Sequence, residues 1–163
     1  MISEKMQRAL NDQLNLELYS SYVYASMAAH FEFKNLHGFA NWFEVQVKEE
    51  LEHAGKFYKY ISDQGAEVKL GAIAQPPAGY ASPMTAFEES LAHERKVTKS
   101  INDLMGLAIG ENDYASVAFL QWFVTEQVEE ESNVEDVIQK LKMVGEDPRG
   151  LYMIDRQLIM RGK

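Results

Sequence analysis

Glu50 and His53 stand three residues apart in a long helical segment, so they lie one turn apart on one face. The apolar stripe of that segment runs Leu36, Phe39/Ala40, Phe43, Val47, then Glu50, then Ala54, Phe57 and Ile61. Glu50 therefore holds a position that the pattern assigns to a core. An ionised carboxylate in a helical core costs several kcal/mol unless a positive partner balances it. A metal ion meets that need, because Glu-x-x-His offers an oxygen and an imidazole from a single turn.

The rest of the chain supplies similar segments. From Ser3 to about Phe33, the residues Leu10, Leu14, Glu17, Ser21, Tyr24, Ala28 and Phe31 share a face, and Ser3 is placed to cap. The Phe33-Lys34-Asn35 link, with Asn35 able to cap, leads into a second helix predicted over 36–64. So short a connection makes the two helices antiparallel neighbours. Residues 65–84 differ in character: Gly65, Gly71, Pro76, Pro77, Gly79 and Pro83 break a helix, and about 20 extended residues reach on the order of 60 Å. In a bundle this length serves as a crossover that starts the third helix at the far end.

Thr85-Ala86-Phe87-Glu88 reads as a capping box for a third helix over 85–110, striped Phe87, Leu91, Glu94, Val97, Ile101, Met105 and Ala108. Asn112 is placed to cap a fourth over 112–144, striped Phe119, Phe123, Gln127, Glu130, Val134, Val137/Ile138 and Leu141. Gly145 stops it, and Asp147-Pro148 opens a short fifth helix over 148–160. The expectation is one all-α domain over 1–163, an antiparallel four-helix bundle with one long crossover and a short C-terminal helix.

At 163 residues and 46% hydrophobic content, a core of this kind is affordable in one domain. The net charge of −9 argues against a nucleic-acid partner. With no cysteine there is no disulfide, thiolate metal site or cysteine nucleophile. MISEKMQRALNDQ lacks the basic start and apolar run of a signal peptide, and no apolar run reaches the roughly 20 residues of a membrane span. A cytoplasmic location is expected.

Each long helix carries one carboxylate inside its stripe, near its midpoint: Glu17, Glu50, Glu94 and Glu130. In a bundle of rods about 40 to 48 Å long, all four midpoints meet at one level. Without a cation these groups would repel one another and titrate as a coupled set with raised pKa values. Two divalent cations neutralise them. Oxygen-rich ligation with one imidazole suits iron(II) or manganese(II), and zinc would also bind.

The chain resembles prokaryotic non-haem ferritins from end to end. The pieces that carry the resemblance are Glu17, the run Glu49-Glu50-Leu51-Glu52-His53, Glu94, and Glu126-Gln127-Val128-Glu129-Glu130, with the crossover and the fifth helix. The resemblance implies that Glu17, Glu50 and His53 hold a first iron, with Glu50 bridging, and that Glu94 and Glu130 hold a second with Gln127 close by. It implies a third iron position formed by Glu49, Glu126 and Glu129, and a site tyrosine in Tyr24, although a core tyrosine also fits that place. The implied function is iron storage: iron(II) is oxidised by O2 or H2O2 and the product is stored in a hollow shell of 24 subunits.

Haem-binding relatives carry a second Glu-x-x-His on the fourth helix and a methionine directly after the second-helix glutamate. Here Gln127-x-x-Glu130 and Leu51 stand in those places, so no haem is expected. Zero cysteines exclude the cysteine-bound iron domain of rubrerythrin-like peroxidases. DNA-protecting mini-ferritins lack the fifth helix. His30, His37 and His93 lack ligand spacing, and His93, next to Glu94, points elsewhere. Trp42 and Trp122 read as packing or subunit contacts, and Glu111 and Asp113 as a solvated acidic turn or a pore lining. The residues alone leave two further readings open: a di-metal oxygenase or peroxidase that stores nothing, and a metal-free structural bundle.

Overall fold

Ser3 opens the first helix by accepting the Met6 N–H on its hydroxyl at 2.9 Å. The computed structural model describes residues 1–163. It contains five helices, α1 Glu4–Phe33, α2 His37–Asp63, α3 Pro83–Gly110, α4 Tyr114–Val144 and α5 Pro148–Leu158, and no strand. The long helices form two pairs, α1 against α2 and α3 against α4.

Three helix ends share one device. At α1, Leu36 N–H donates to Phe31 O and Asn35 N–H to Glu32 O; α2 repeats this around Gly65 and α3 around Asn112. The device needs a left-handed residue just past the helix, and Asn35 (φ 57°), Gly65 (φ 69°) and Asn112 (φ 55°) supply it. This corrects two expected caps, because Asn35 and Asn112 finish the preceding helix instead of starting the next. Asp113 caps α4, accepting the Ser116 N–H at 3.1 Å. The α3 start is also corrected: Ser82 is its cap and Pro83 occupies the first turn, where a missing N–H costs nothing. Thr85 is inside that helix and its N–H is the one Ser82 accepts. The fifth helix ends at Leu158, two residues short of expectation, and continues as turns.

The crossover lies along α1. Asn11 accepts the Lys69 N–H at 2.6 Å and donates to Glu67 O at 3.1 Å, and Asn15 accepts the Gly71 N–H at 2.8 Å and donates to Lys69 O at 3.1 Å. Further along, Ser26 donates to Pro77 O at 2.7 Å. Side-chain amides thus satisfy backbone groups that a strand partner would otherwise take. The strap delivers α3 to the end of the bundle where α2 began.

Burial splits the core in two. One cluster joins the second halves of α1 and α4, the first halves of α2 and α3, and α5, through Phe31, Phe43, Phe87, Ile138 and Leu158 among others. The other joins the opposite halves through Leu10, Phe57, Ile101 and Phe123. The layer between them is polar.

The helix α5 seals the first cluster and also completes α2. Leu36, the residue before α2, has no capping side chain. Asp155 of α5 accepts the Gly38 and Phe39 N–H groups at 2.8 and 3.0 Å instead. The approach is close enough that a Cβ on Gly38 would lie 1.6 Å from the Asp155 carbonyl oxygen. Asp155→Ala should therefore cost on the order of 1 kcal/mol, about 2–4 °C in thermal unfolding, while Asp155→Asn, which keeps an acceptor, should cost less. An Asp155→Ala midpoint equal to that of the parent would contradict this capping role.

Candidate metal centre

The polar layer contains Gln13, Glu17 and Ser20 of α1, Gln46, Glu50 and His53 of α2, Glu94 of α3, and Gln127 and Glu130 of α4, all buried. The inward stripes make this so, since residues three or four apart return to the same face. Ligand atoms of Glu17, Glu50 and His53 lie within 4.8 Å of one another, as do those of His53, Glu126 and Glu130. His53 joins the two groups: its Nδ1 is 3.5 Å from Glu50 Oε2 and its Nε2 is 3.9 Å from Glu126 Oε1.

Neutral donors hold the carboxylates from behind. Gln13 donates to Glu17 Oε1 at 2.8 Å, and Gln46 to Glu130 Oε2 at 2.6 Å. Glu94 receives the Tyr24 hydroxyl on Oε1 and the Gln127 amide on Oε2, the latter at 3.2 Å. The Gln127 amide also reaches the Thr98 hydroxyl at 3.2 Å. Glu17 Oε2 and Glu50 Oε2 are buried and accept no hydrogen bond, and the only basic side-chain atom near Glu50 Oε2 is His53 Nδ1 at 3.5 Å. No lysine or arginine is among the buried residues. Two carboxyl oxygens without a hydrogen bond beside an imidazole, with no buried lysine or arginine to answer them, form a donor set that fits divalent metal.

The electrostatics follow from the packing. Burial pushes the Glu17 carboxyl well above the usual range, with the Glu50 charge adding to it. Burial and the Glu94 charge do the same at Glu50. Glu130 is pushed up to about 7, chiefly by burial and then by Glu94. Burial also raises Glu94, opposed by the Tyr24 and Gln127 hydrogen bonds, and raises the Tyr24 phenol.

The remaining sequence candidates fall at or outside the rim. Glu126 is mostly buried beside His53, whereas Glu49 is partly exposed and bonded to Arg161. Glu129 is exposed. His93 turns away from the carboxylates, bonding Ser20 at 2.7 Å. His37 pairs with Glu32 at the surface, and His30 packs on Phe31 and Tyr80. Trp42 is core; Trp122 is 40% exposed with its ring on His53. Asp113 is a helix cap, and Glu111 accepts the Ser3 hydroxyl at the surface. Sequence reasoning missed Gln13 and Gln46. Each lies one turn before a stripe glutamate, at Glu17 and Glu50, and that spacing was the available signal.

Residues 7–144 match the Ferritin family, described as a ferritin-like domain. The chain belongs to the ferritin family. It is 40% identical over 158 residues to a bacterial non-heme ferritin of Staphylococcus aureus (strain USA300), covering 97% of this chain and 95% of that one. A bacterial non-heme ferritin of Staphylococcus epidermidis is 40% identical over 161 residues, covering 99% and 97%. Among solved structures, an open pore ferritin of Archaeoglobus fulgidus superposes with a TM-score of 0.98 at 48% identity, covering 99% of both chains. A humanized archaeal ferritin superposes at 0.97 with 46% identity, covering 99% and 98%. Membership of the ferritin family supports iron binding and iron storage. No helix is long and apolar enough to cross a membrane.

The raised carboxyl groups set a pH dependence. A carboxyl with a raised folded pKa keeps its proton where the unfolded chain has already lost it, so its presence destabilises the metal-free fold increasingly as pH rises. For Glu130 that window runs from the unfolded value of 4.5 up to about 7. Glu130→Gln should therefore gain stability over the metal-free parent as pH goes from about 5 to about 8. Thermal unfolding of both proteins across that range checks it, and a difference independent of pH would contradict the burial of an uncompensated carboxyl.

Proposed function

We propose that the chain is an iron-storage ferritin with ferroxidase activity, assembled as a hollow homo-oligomeric shell of 24 subunits in the cytoplasm. The observation that carries the reading is the pair of buried oxygens without a hydrogen bond, Glu17 Oε2 and Glu50 Oε2, on carboxylates that cluster with the His53 imidazole.

Iron(II) is the substrate. Glu17, Glu50 and His53 take one ion, and Glu94 and Glu130 take a second, with Glu50 shared between them and Gln127 beside the pair. Gln13, Gln46 and Tyr24 each donate to one oxygen of a carboxylate, at Glu17, Glu130 and Glu94, and so fix its orientation before substrate arrives. Carboxyl groups with raised pKa values lose protons as ions bind, which couples loading to proton release.

The redox balance is simple. Two iron(II) ions lose one electron each; O2 takes both electrons and two protons to give H2O2. If H2O2 is the oxidant, the same two electrons and two protons give two waters. Hard anionic oxygens favour iron(III) over iron(II), and carboxylates exchange between mono- and bidentate modes, which lets product leave for the mineral. Glu49, Glu126 and Glu129 provide the carboxylates of a third iron position on the way out. Subunit contacts have material to use: Tyr152, Met153 and Met160 are 61%, 71% and 64% exposed on and after α5.

Aerobic iron(II) loading tests storage. Gel filtration with iron staining should show soluble iron, far above what the centre itself holds, eluting with the assembled protein. A chain that oxidises iron(II) yet retains only the ions of its centre would instead be an oxidase. Glu50→Ala and Glu130→Ala should slow the fast phase of iron(II) oxidation by more than about 10–100-fold, the range for losing even a group behind a ligand. Assembly should survive, because each change removes a buried like charge. Unchanged fast-phase kinetics in both variants would contradict the assignment.

A further inference from the structure

The turn after α5 brings a guanidinium to the rim of the carboxylate layer. Arg161 Nη1 donates to the Trp42 carbonyl at 3.0 Å, and Nη2 donates to Gln46 Oε1 at 2.9 Å and to Glu49 Oε2 at 2.8 Å. The group also lies over the Trp42 ring, 4.2 Å from its centroid. Asn41 anchors the backbone beneath it, donating to the carbonyls of Leu158 at 3.0 Å and Arg161 at 3.2 Å. The side chain is only 17% exposed. A group with three acceptors and an aromatic face around it is fixed in place, not sampling solvent.

Two effects reach the centre. Because Gln46 Oε1 accepts from Arg161, its amide nitrogen is turned onto Glu130, where it donates at 2.6 Å. Glu49 meanwhile sits close enough to His53, Glu126 and Glu130 to feel their charges, yet its carboxylate is already paired with a cation that belongs to the chain. A guanidinium and a divalent ion cannot share that oxygen without repelling each other.

We propose that Arg161 is a tethered counter-ion competing with iron for Glu49, so that an ion at the third position displaces the guanidinium and loosens the C-terminal turn. This rests on the reading of Glu49 as a third-position carboxylate. Linkage makes the effect reciprocal: releasing the C-terminal turn tightens the third ion, and the third ion releases the turn. Arg161 acts here as a positioning residue, since it touches Gln46 and Glu49 and not the first two ions.

The test is an anaerobic zinc(II) titration of the assembled protein, zinc being redox-inert. Arg161→Gln should leave the ion at Glu17, Glu50 and His53, which Arg161 does not reach, unchanged, and bind the third about two- to fivefold more tightly, the scale of one lost partly exposed ion pair. Arg161→Lys, which keeps a cation, should fall between Arg161→Gln and the parent. In a Glu49→Gln background, Arg161→Gln should no longer tighten the third ion. In the unmutated protein, amide hydrogen exchange over residues 159–163 should accelerate as the third ion binds, not as the first two do.

A third-ion affinity unchanged or weakened in Arg161→Gln overturns the proposal, as does exchange over 159–163 that ignores the third ion. A third ion indifferent to Glu49→Gln would instead remove the reading of Glu49 on which the proposal stands. Failure of the first two ions to bind would remove the metal centre itself. A purely structural role for Arg161 would weaken all ions together and would not be rescued by lysine.

Discussion

Four carboxylates are held in one buried layer without a buried lysine or arginine to balance them. Everything else in the bundle is arranged around those buried ionisable groups. Apolar clusters close the layer from above and below, so water cannot screen it. Neutral amides and a phenol bind the outer oxygens and leave Glu17 Oε2 and Glu50 Oε2 unanswered. A fold that bears such a cost in every metal-free molecule is arranged for a cation supplied from outside.

The supporting elements can be understood as ways of keeping that layer in register. The strap along α1 lets α3 run in the direction that brings Glu94 to the height of Glu50. Asparagines at 11 and 15 give the strap backbone partners over a length that would otherwise be unstructured. The helix α5 is too short to persist by itself, but Asp155 makes it the cap of α2, and Ile154 and Leu158 lie in the core. Its continuation carries Arg161 to the edge of the centre. The C-terminal segment is thus bound to the same helix that bears Glu50 and His53.

The inner faces were legible in the sequence because helical periodicity is a strong signal and each glutamate interrupts an otherwise apolar stripe. The helix count, the crossover and the layer of glutamates all follow from it, and the family comparisons agree with the fold. Helix starts were less legible. Asparagine serves equally before a helix, as a side-chain acceptor, and after one, in the left-handed conformation; at 35 and 112 the second use prevails. Pro83 reads as a breaker until Ser82 is seen to cap it. Gln13 and Gln46 carry no charge and so raised no alarm in the pattern. Arg161 lies beyond the last helix, and nothing local in the sequence connects it to Glu49, 112 residues away.

The function of the buried layer turns on where cations sit. Anomalous diffraction from crystals soaked anaerobically with iron(II) tests it without reference to kinetics or assembly. Two strong peaks about 3.5–4 Å apart are expected in the buried layer, one against Glu17 and His53, the other against Glu94 and Glu130, with Glu50 touching both. Peaks confined to the outer surface, with the layer left free of metal and its glutamates still buried, would contradict it.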